Sequence, residues 1–151
     1  MGEYYYMSLE SKGPTQTQEA RSIGYVRSKD LRNWEHVGKQ PSLTGDVCCS
    51  SFFVYKEEFY SIAANSKRFV VHKAETFLKF QDDNLLGYFY PYGTKYKGAV
   101  ETPDIVTATS DKIAQSKRDF LLMFSSGNGN WSTHMISFVT PDAFLSSLYL
   151  D

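Results

Sequence analysis

The sequence predicts an all-β fold, and three observations support this prediction. The chain of 151 residues contains 11 Tyr and 11 Phe, and aromatic residues make up 16% of it. Aromatic side chains favour the half-buried surface of a sheet. Short apolar runs alternate with turn residues, whereas long stretches of helical periodicity are absent. A strand followed by a short turn recurs three times along the chain. These features predict antiparallel sheets and one short C-terminal helix.

The individual elements follow from local patterns of apolar and turn-forming residues. Thr140 can cap the C-terminal helix, Pro141 suits its first turn, and Phe144 lies on its apolar face. Turns are expected at Gly13-Pro14 and over the polar residues from Lys56. The predicted strands are, in chain order, Glu3–Glu10, Ser22–Arg27, Ser51–Tyr55, Phe59–Ala64, Arg68–His72, Asp104–Ala108, Phe120–Phe124 and His134–Val139.

The recurring unit predicts how these strands are organised. The three copies begin at Ile23, Phe69 and Met135, and each strand runs into a short turn. In the first turn, Leu31 and Trp34 are expected to cover a sheet edge, and Asp30 to cap the turn. Four-stranded units that recur every 40–50 residues or so are typical of propeller blades. One domain over residues 1–151 is therefore predicted, with blades at about 3–46, 47–98 and 99–151. The first blade is expected to lack its innermost strand, and Leu85–Val100 to form a long loop.

Composition limits the partners of the chain. The 16 Lys and Arg residues nearly balance the 17 Asp and Glu residues, so we expect no nucleic-acid partner. No apolar run approaches the ~18 residues of a membrane span, so we expect no membrane partner. The N-terminal residues do not resemble a secretion signal, which favours a cytoplasmic location, or a secreted one if the chain is truncated. The adjacent Cys48 and Cys49 are expected to be reduced thiols. The three histidines are scattered, and we expect neither a metal site nor a cofactor.

Three segments resemble a known family. The run from Ile23 to Gly38 is similar to the "SKDL..WE..G" blade edge of five-bladed propeller glycosidases. These include arabinosidases and xylosidases, and the invertase- and levanase-like fructosidases. The run Ala99–Ile105 resembles their Glu-x-Pro element, and Phe120–Gly127 the strand that follows it. The resemblance implies that Glu101 is a general acid. The chain departs from this family in two ways. Five blades need about 200–250 residues, whereas this chain has 151. The family's essential aspartate lies on the innermost strand of the first blade, which is expected to be missing here.

Glycoside cleavage requires two carboxyl groups, one on each side of the scissile bond. Glu101 is the candidate acid. Asp46 and Asp104 are candidates for its partner, although the local sequence favours a turn or edge carboxylate at each position. The substrate would be a furanoside or a related glycan. Tyr90, Tyr92 and Trp131 are candidates for stacking on sugar rings, or for packing the rim of the core.

Other functional classes also fit the sequence. A non-catalytic protein could keep the blade scaffold and bind a glycan or another protein. A closed β-barrel that binds a small apolar ligand is a further alternative. Incomplete blades leave sheet edges open, and such edges pair readily with another chain, so self-association is expected.

Overall fold

The computed structural model describes residues 3–12, 21–37, 47–65, 67–76, 79–80, 82–95, 97–107, 120–127 and 130–150. These residues form three antiparallel sheets, which confirms the predicted all-β class. The first sheet contains β1 (Tyr5–Lys12), β2 (Arg21–Ser28) and β3 (Glu35–His36). The middle sheet contains β4 (Cys48–Tyr55), β5 (Glu58–Asn65), β6 (Arg68–Ala74) and β7 (Leu85–Phe89). The third contains β8 (Ala99–Thr107), β9 (Phe120–Gly127) and β10 (Ser132–Phe138), and α1 (Pro141–Leu145) follows it.

The middle sheet packs against a neighbour on each face. Along β5, Ile62 and Ala64 face the third sheet, whereas Ala63 faces the first sheet. Successive side chains of a strand point to opposite faces, so a strand covered on both sides is apolar at consecutive positions. This explains why β5 and β6 read as nearly continuous apolar runs, and why no residue from Tyr60 to Ala64 is exposed.

The core between the middle and third sheets consists largely of aromatic rings. The Phe120 ring stacks on Phe144 at 4.8 Å and meets Phe53 edge-on at 5.0 Å. Phe69 and Phe124 form a second edge-on pair at 5.3 Å. Offset and edge-on ring pairs are the favoured arrangements for phenyl groups. Phenylalanine rings therefore hold these two sheets together.

A smaller core joins the first and middle sheets. It is built around Ile23, Tyr25 and Phe80, which are almost completely buried. The Tyr25 ring lies 5.5 Å from Phe52 and 6.2 Å from Phe80. Small residues of the middle sheet, such as Ala63, complete this interface.

The turn after β2 is capped as the sequence predicts. The Asp30 carboxylate accepts hydrogen bonds from the backbone N–H groups of Asn33 and Arg32, at 2.8 and 2.9 Å. These bonds, led by Asn33, hold the pKa of Asp30 well below its usual range. The prediction that Leu31 covers a sheet edge is wrong, because 56% of its surface is exposed. Its φ of 60° lies in the left-handed region.

The helical prediction is confirmed, and the loop prediction is wrong in part. Thr140 caps α1 by accepting a hydrogen bond from the N–H of Ala143, and Pro141 opens the helix. Leu85–Val100 is not one long loop, because Leu85–Phe89 forms the outer strand of the middle sheet. This strand contains Gly87, where a Cβ atom would lie 2.8 Å from the carbonyl oxygen of Tyr149. Tyr88 and Tyr149 pair there through two backbone hydrogen bonds of 2.8 Å.

The described strands form no closed sheet, so the alternative of a barrel around a small apolar ligand has no support in this part of the chain. No helix in this part of the chain has the length and apolar character needed to cross a bilayer.

Candidate functional site

Two β-bulges lie close together at one end of the stacked sheets. One interrupts β4 at Cys48–Ser50, and the other interrupts β8 between Glu101 and Asp104. Each bulge contains a non-glycine residue in the left-handed region, with φ of 46° at Cys49 and 49° at Thr102. Such backbone costs about 1–3 kcal/mol and is concentrated at functional sites. Bulges also redirect side chains near active sites, so this end of the molecule is the candidate site.

The β4 bulge brings two neighbouring thiols together. Cys48 and Cys49 would point to opposite faces of a regular strand. The extra residue at Cys49 changes this, and both side chains pack beside the larger core. The Cys49 thiol also reaches the first sheet, where its Sγ lies 3.9 Å from Oε2 of Glu10. One sulfur atom from each cysteine and one Glu10 oxygen lie within 4.8 Å of one another.

Cys48 is the most strongly perturbed of these groups. Burial is the largest of the effects that raise the pKa of its thiol to about 12, and the neighbouring Cys49 is the second largest. The negative charges of Glu10 and Glu101 raise this pKa further. Both carboxyl groups therefore lie within electrostatic range of one buried thiol, although they come from different sheets.

The β8 bulge is formed by the Glu-Thr-Pro sequence itself. Proline cannot donate a ladder hydrogen bond, and within sheets it is found at edges and bulges. Here Pro103 is buried at the bulge, and the Thr102 hydroxyl donates to Oγ of Ser125 at 3.0 Å. Threonine is branched at Cβ, which makes a positive φ particularly unfavourable. The local sequence thus fixes the backbone directly after Glu101.

The candidate carboxylates named from the sequence differ in their placement. Glu101 is half-buried and pairs in register with Ser125. Asp104 is exposed beyond the bulge, opposite Met123. Asp46 lies outside the described residues. Among the described carboxylates, Glu10 rather than Asp104 shares the surroundings of Cys48 with Glu101.

The candidate aromatic residues do not form one platform. The Tyr92 hydroxyl lies 3.0 Å from Oγ of Ser126, on the sheet face opposite to Glu101. The Tyr90 hydroxyl accepts a 2.7 Å hydrogen bond from Arg68, and its ring packs edge-on against Tyr149. Both tyrosines therefore have structural partners. Trp131 is 49% exposed, and its backbone lies beside Gly127 at the strand end that pairs with Ala99. Of the candidates, Trp131 is more exposed than Tyr92, at 49% against 41%.

Two surface depressions lie at the opposite end of the sheets. The larger, of about 690 Å³, is lined by residues that include Glu58, Lys73 and Glu75. Its carboxylates are in ion pairs, with Lys73 at 3.1 Å from Glu58 and Lys79 at 3.3 Å from Glu75. The smaller depression surrounds the Asp30 turn. We therefore interpret both depressions as gaps between side chains at the ends of the sheets.

Sequence reasoning did not single out Glu10, and it treated the two cysteines as inert. Glu10 lies 38 residues before Cys48 along the chain, and only the packing of the first sheet against β4 brings them together. The sequence offered no signal for the site, because the predicted strand began at Ser51 and left both cysteines outside it.

In comparisons with known proteins, no family model matches the chain, and no curated protein shows significant similarity to it.

Proposed function

We propose that the protein is a glycosidase-type partial propeller whose bulged end binds and cleaves a glycan, with Glu101 as general acid and Glu10 as the second carboxyl group. The observation that carries this proposal is that Glu10 and Glu101, from separate sheets, both lie within electrostatic range of Cys48, beside the bulges of β4 and β8. Glycoside cleavage depends on two carboxyl groups held on opposite sides of one bond. The Glu-Thr-Pro bulge fixes the strand at Glu101, and the Cys49 thiol contacts Glu10 at 3.9 Å.

The stacking of the sheets supports a propeller arrangement. Each sheet is an antiparallel meander, with strands added in chain order. β4 and β8, the first strands of the middle and third sheets, make extensive contact with each other. In a propeller such strands line the central channel, where ligands bind. The turn after β2 and the Phe80 segment after β6 occupy equivalent positions in their sheets, as the sequence repeat requires.

The proposed chemistry assigns one role to each carboxyl group. Protonated Glu101 gives its proton to the leaving glycosidic oxygen as that bond breaks. Ionised Glu10 either attacks the sugar or removes a proton from the attacking water. Trp131, exposed near the start of β8, offers an aromatic face for a sugar ring.

Hydrolysis of nitrophenyl furanosides, nitrophenyl pyranosides and sucrose tests the proposal. Glu101→Gln should lower kcat by about 10²- to 10⁴-fold, the usual contribution of acid–base catalysis. The loss should be smaller for nitrophenyl substrates, because their leaving group needs little protonation. Glu75→Gln, a carboxylate at the opposite end, is the matched control and should keep wild-type turnover. If the folded protein hydrolyses none of these substrates, the proposed catalytic activity is wrong.

A non-catalytic glycan-binding scaffold is the second candidate function. Glu10 and Thr102 at the bulged end are exposed to water. Active sites generally exclude water to strengthen their electrostatics. Calorimetric titration with oligosaccharides separates the two functions, since binding without turnover would support the scaffold. Trp131→Ala should weaken binding in either case.

We also propose that the open faces of the stack pair with a second copy of the chain. Tyr5, Met7 and Leu9 are exposed on the face of the first sheet that points away from the middle sheet. Met135 is 62% exposed on the outer face of the third sheet. In a complete propeller, neighbouring blades would cover both faces. Sedimentation should show oligomers at micromolar concentration that Met7→Lys dissociates, and a strictly monomeric wild type would contradict this.

A further inference from the structure

We propose that Glu10, Cys48 and Cys49 form a binding site for a thiophilic divalent metal ion such as Zn²⁺. Among the residues that the structure describes, they are the one group of at least three His, Cys, Asp or Glu side chains whose potential ligand atoms lie within 4.8 Å of one another. The sequence expectation of no zinc site rested on the spacing of the histidines. This site contains none, and its ligands come from two different sheets.

The distances suit a tetrahedral ion. With Zn–S bonds of about 2.3 Å and Zn–O bonds of about 2.1 Å, tetrahedral geometry places the sulfur and oxygen ligands about 3.6 Å apart. The observed separation of Cys49 Sγ from Glu10 Oε2 is 3.9 Å. Closing this gap needs only a small side-chain rotation. Three protein ligands leave a fourth position for water or an external ligand, as in catalytic zinc sites.

The backbone favours ligation over a disulfide. Neighbouring Cα atoms are about 3.8 Å apart, whereas disulfides usually span about 4.4–6.8 Å between Cα atoms. Both cysteines are free in the structure, and the strained bulge at Cys49 places their thiols side by side. Bulges redirect side chains, and backbone strain is typical of functional sites. A strained bulge that places two thiols beside a carboxylate therefore favours metal binding.

The chemistry of the donors selects the class of metal. Thiolates favour zinc and other soft ions, whereas Mg²⁺ and Ca²⁺ require oxygen ligands. The cluster also brings the carboxyl groups of Glu10 and Glu101 close to a buried thiol. A bound cation would offset part of the negative charge of these groups, and each ligating thiol would release its proton to solvent.

Metal binding has a consequence for hydrolysis, and this consequence rests on the proposed function. Once Glu10 coordinates the ion, its carboxylate is no longer available as the second catalytic group. The metal-loaded chain should therefore turn over glycosides more slowly than the metal-free chain. The metal site itself does not depend on this, because binding is measured without any sugar.

Competition with a chromophoric chelator measures Zn²⁺ binding to reduced, metal-free protein. We expect one ion per chain. Cys49→Ser and Glu10→Gln should each weaken the affinity by at least ~10-fold, the lower end of the loss seen when mere second-shell partners are removed. Glu75→Gln is the matched control and should bind like the wild type. No binding by the wild type, or equal affinity in wild type and Cys49→Ser, would overturn the site.

Cobalt substitution provides a second readout, and it requires no substitution at the buried Cys48. Co²⁺ bound by two thiolates should give a sulfur-to-metal charge-transfer band, and this band should weaken by about half in Cys49→Ser. A cobalt spectrum without any thiolate band would contradict the proposed ligands. Because both measurements omit glycosides, a protein that binds zinc but shows no turnover in its metal-free form would refute the proposed hydrolysis while leaving the metal site intact.

Discussion

The two interfaces of the middle sheet differ in their packing. The interface with the third sheet contains a continuous set of buried phenylalanine rings, including Phe120 and Phe144. The interface with the first sheet has fewer buried residues and includes small ones such as Ala63 and Ala74. Burial of apolar area is the main source of stability. The middle and third sheets should therefore form the stable unit, with the first sheet attached more weakly.

This difference bears directly on the candidate site. Glu101, Cys48 and Cys49 belong to the two strongly packed sheets, whereas Glu10 belongs to the weakly packed one. Regions of low local stability often open without global unfolding. The position of Glu10 should therefore be the most adjustable part of the site, which suits a ligand that is recruited or released.

The largest expected effect comes from truncating one ring in each core. Phe120→Ala should lower the free energy of unfolding by about 3–5 kcal/mol, the usual cost of a buried phenylalanine. Phe80→Ala should cost less overall, because the first sheet can detach while the larger core survives. Chemical denaturation measures both values. Equal losses in one common transition would contradict the difference between the interfaces.

A smaller effect is expected at the cap of α1. Thr140 accepts the Ala143 N–H at 3.2 Å, and Phe144 carries this helix into the larger core. Thr140→Ala should cost about 1 kcal/mol, as is typical of N-cap substitutions. Thr140→Ser keeps the hydroxyl and serves as the control. If the serine variant loses as much stability as the alanine variant, the cap is not the cause.

The smallest expected effect is the loss at low pH of the stability that Asp30 contributes to the turn of the first sheet. Hydrogen bonds led by Asn33 lower the folded-state pKa of Asp30, so this carboxylate stabilises the fold above the ordinary carboxyl pKa, near ~4. The contribution is lost as the pH falls through the lowered folded pKa. The difference in melting temperature between wild type and Asp30→Asn should thus shrink on acidification below about pH 4. A difference that stays constant would contradict this assignment.

Local patterns in the sequence were sufficient to predict most of the strands, and the Asp30 and Thr140 caps. These features depend on periodicity and on contacts over a few residues. The outer strand Leu85–Phe89 was missed because Gly87 and the tyrosines resemble a loop, and its pairing with Tyr149 is remote in sequence. The Glu10–Cys49 contact spans 39 residues and two sheets. Rules based on neighbouring residues do not predict contacts at this separation, so only the tertiary packing revealed that Glu10 belongs to the candidate site.

The most direct test of the account compares Glu10→Gln, Glu101→Gln and the double variant on the best glycoside substrate. Catalytic groups that work as a unit are strongly non-additive. We therefore expect each single variant to lose most of the turnover, and the double variant to be about as slow as the slower single variant. Wild-type turnover in Glu10→Gln, or losses that simply multiply in the double variant, would contradict the pairing of these two carboxyl groups.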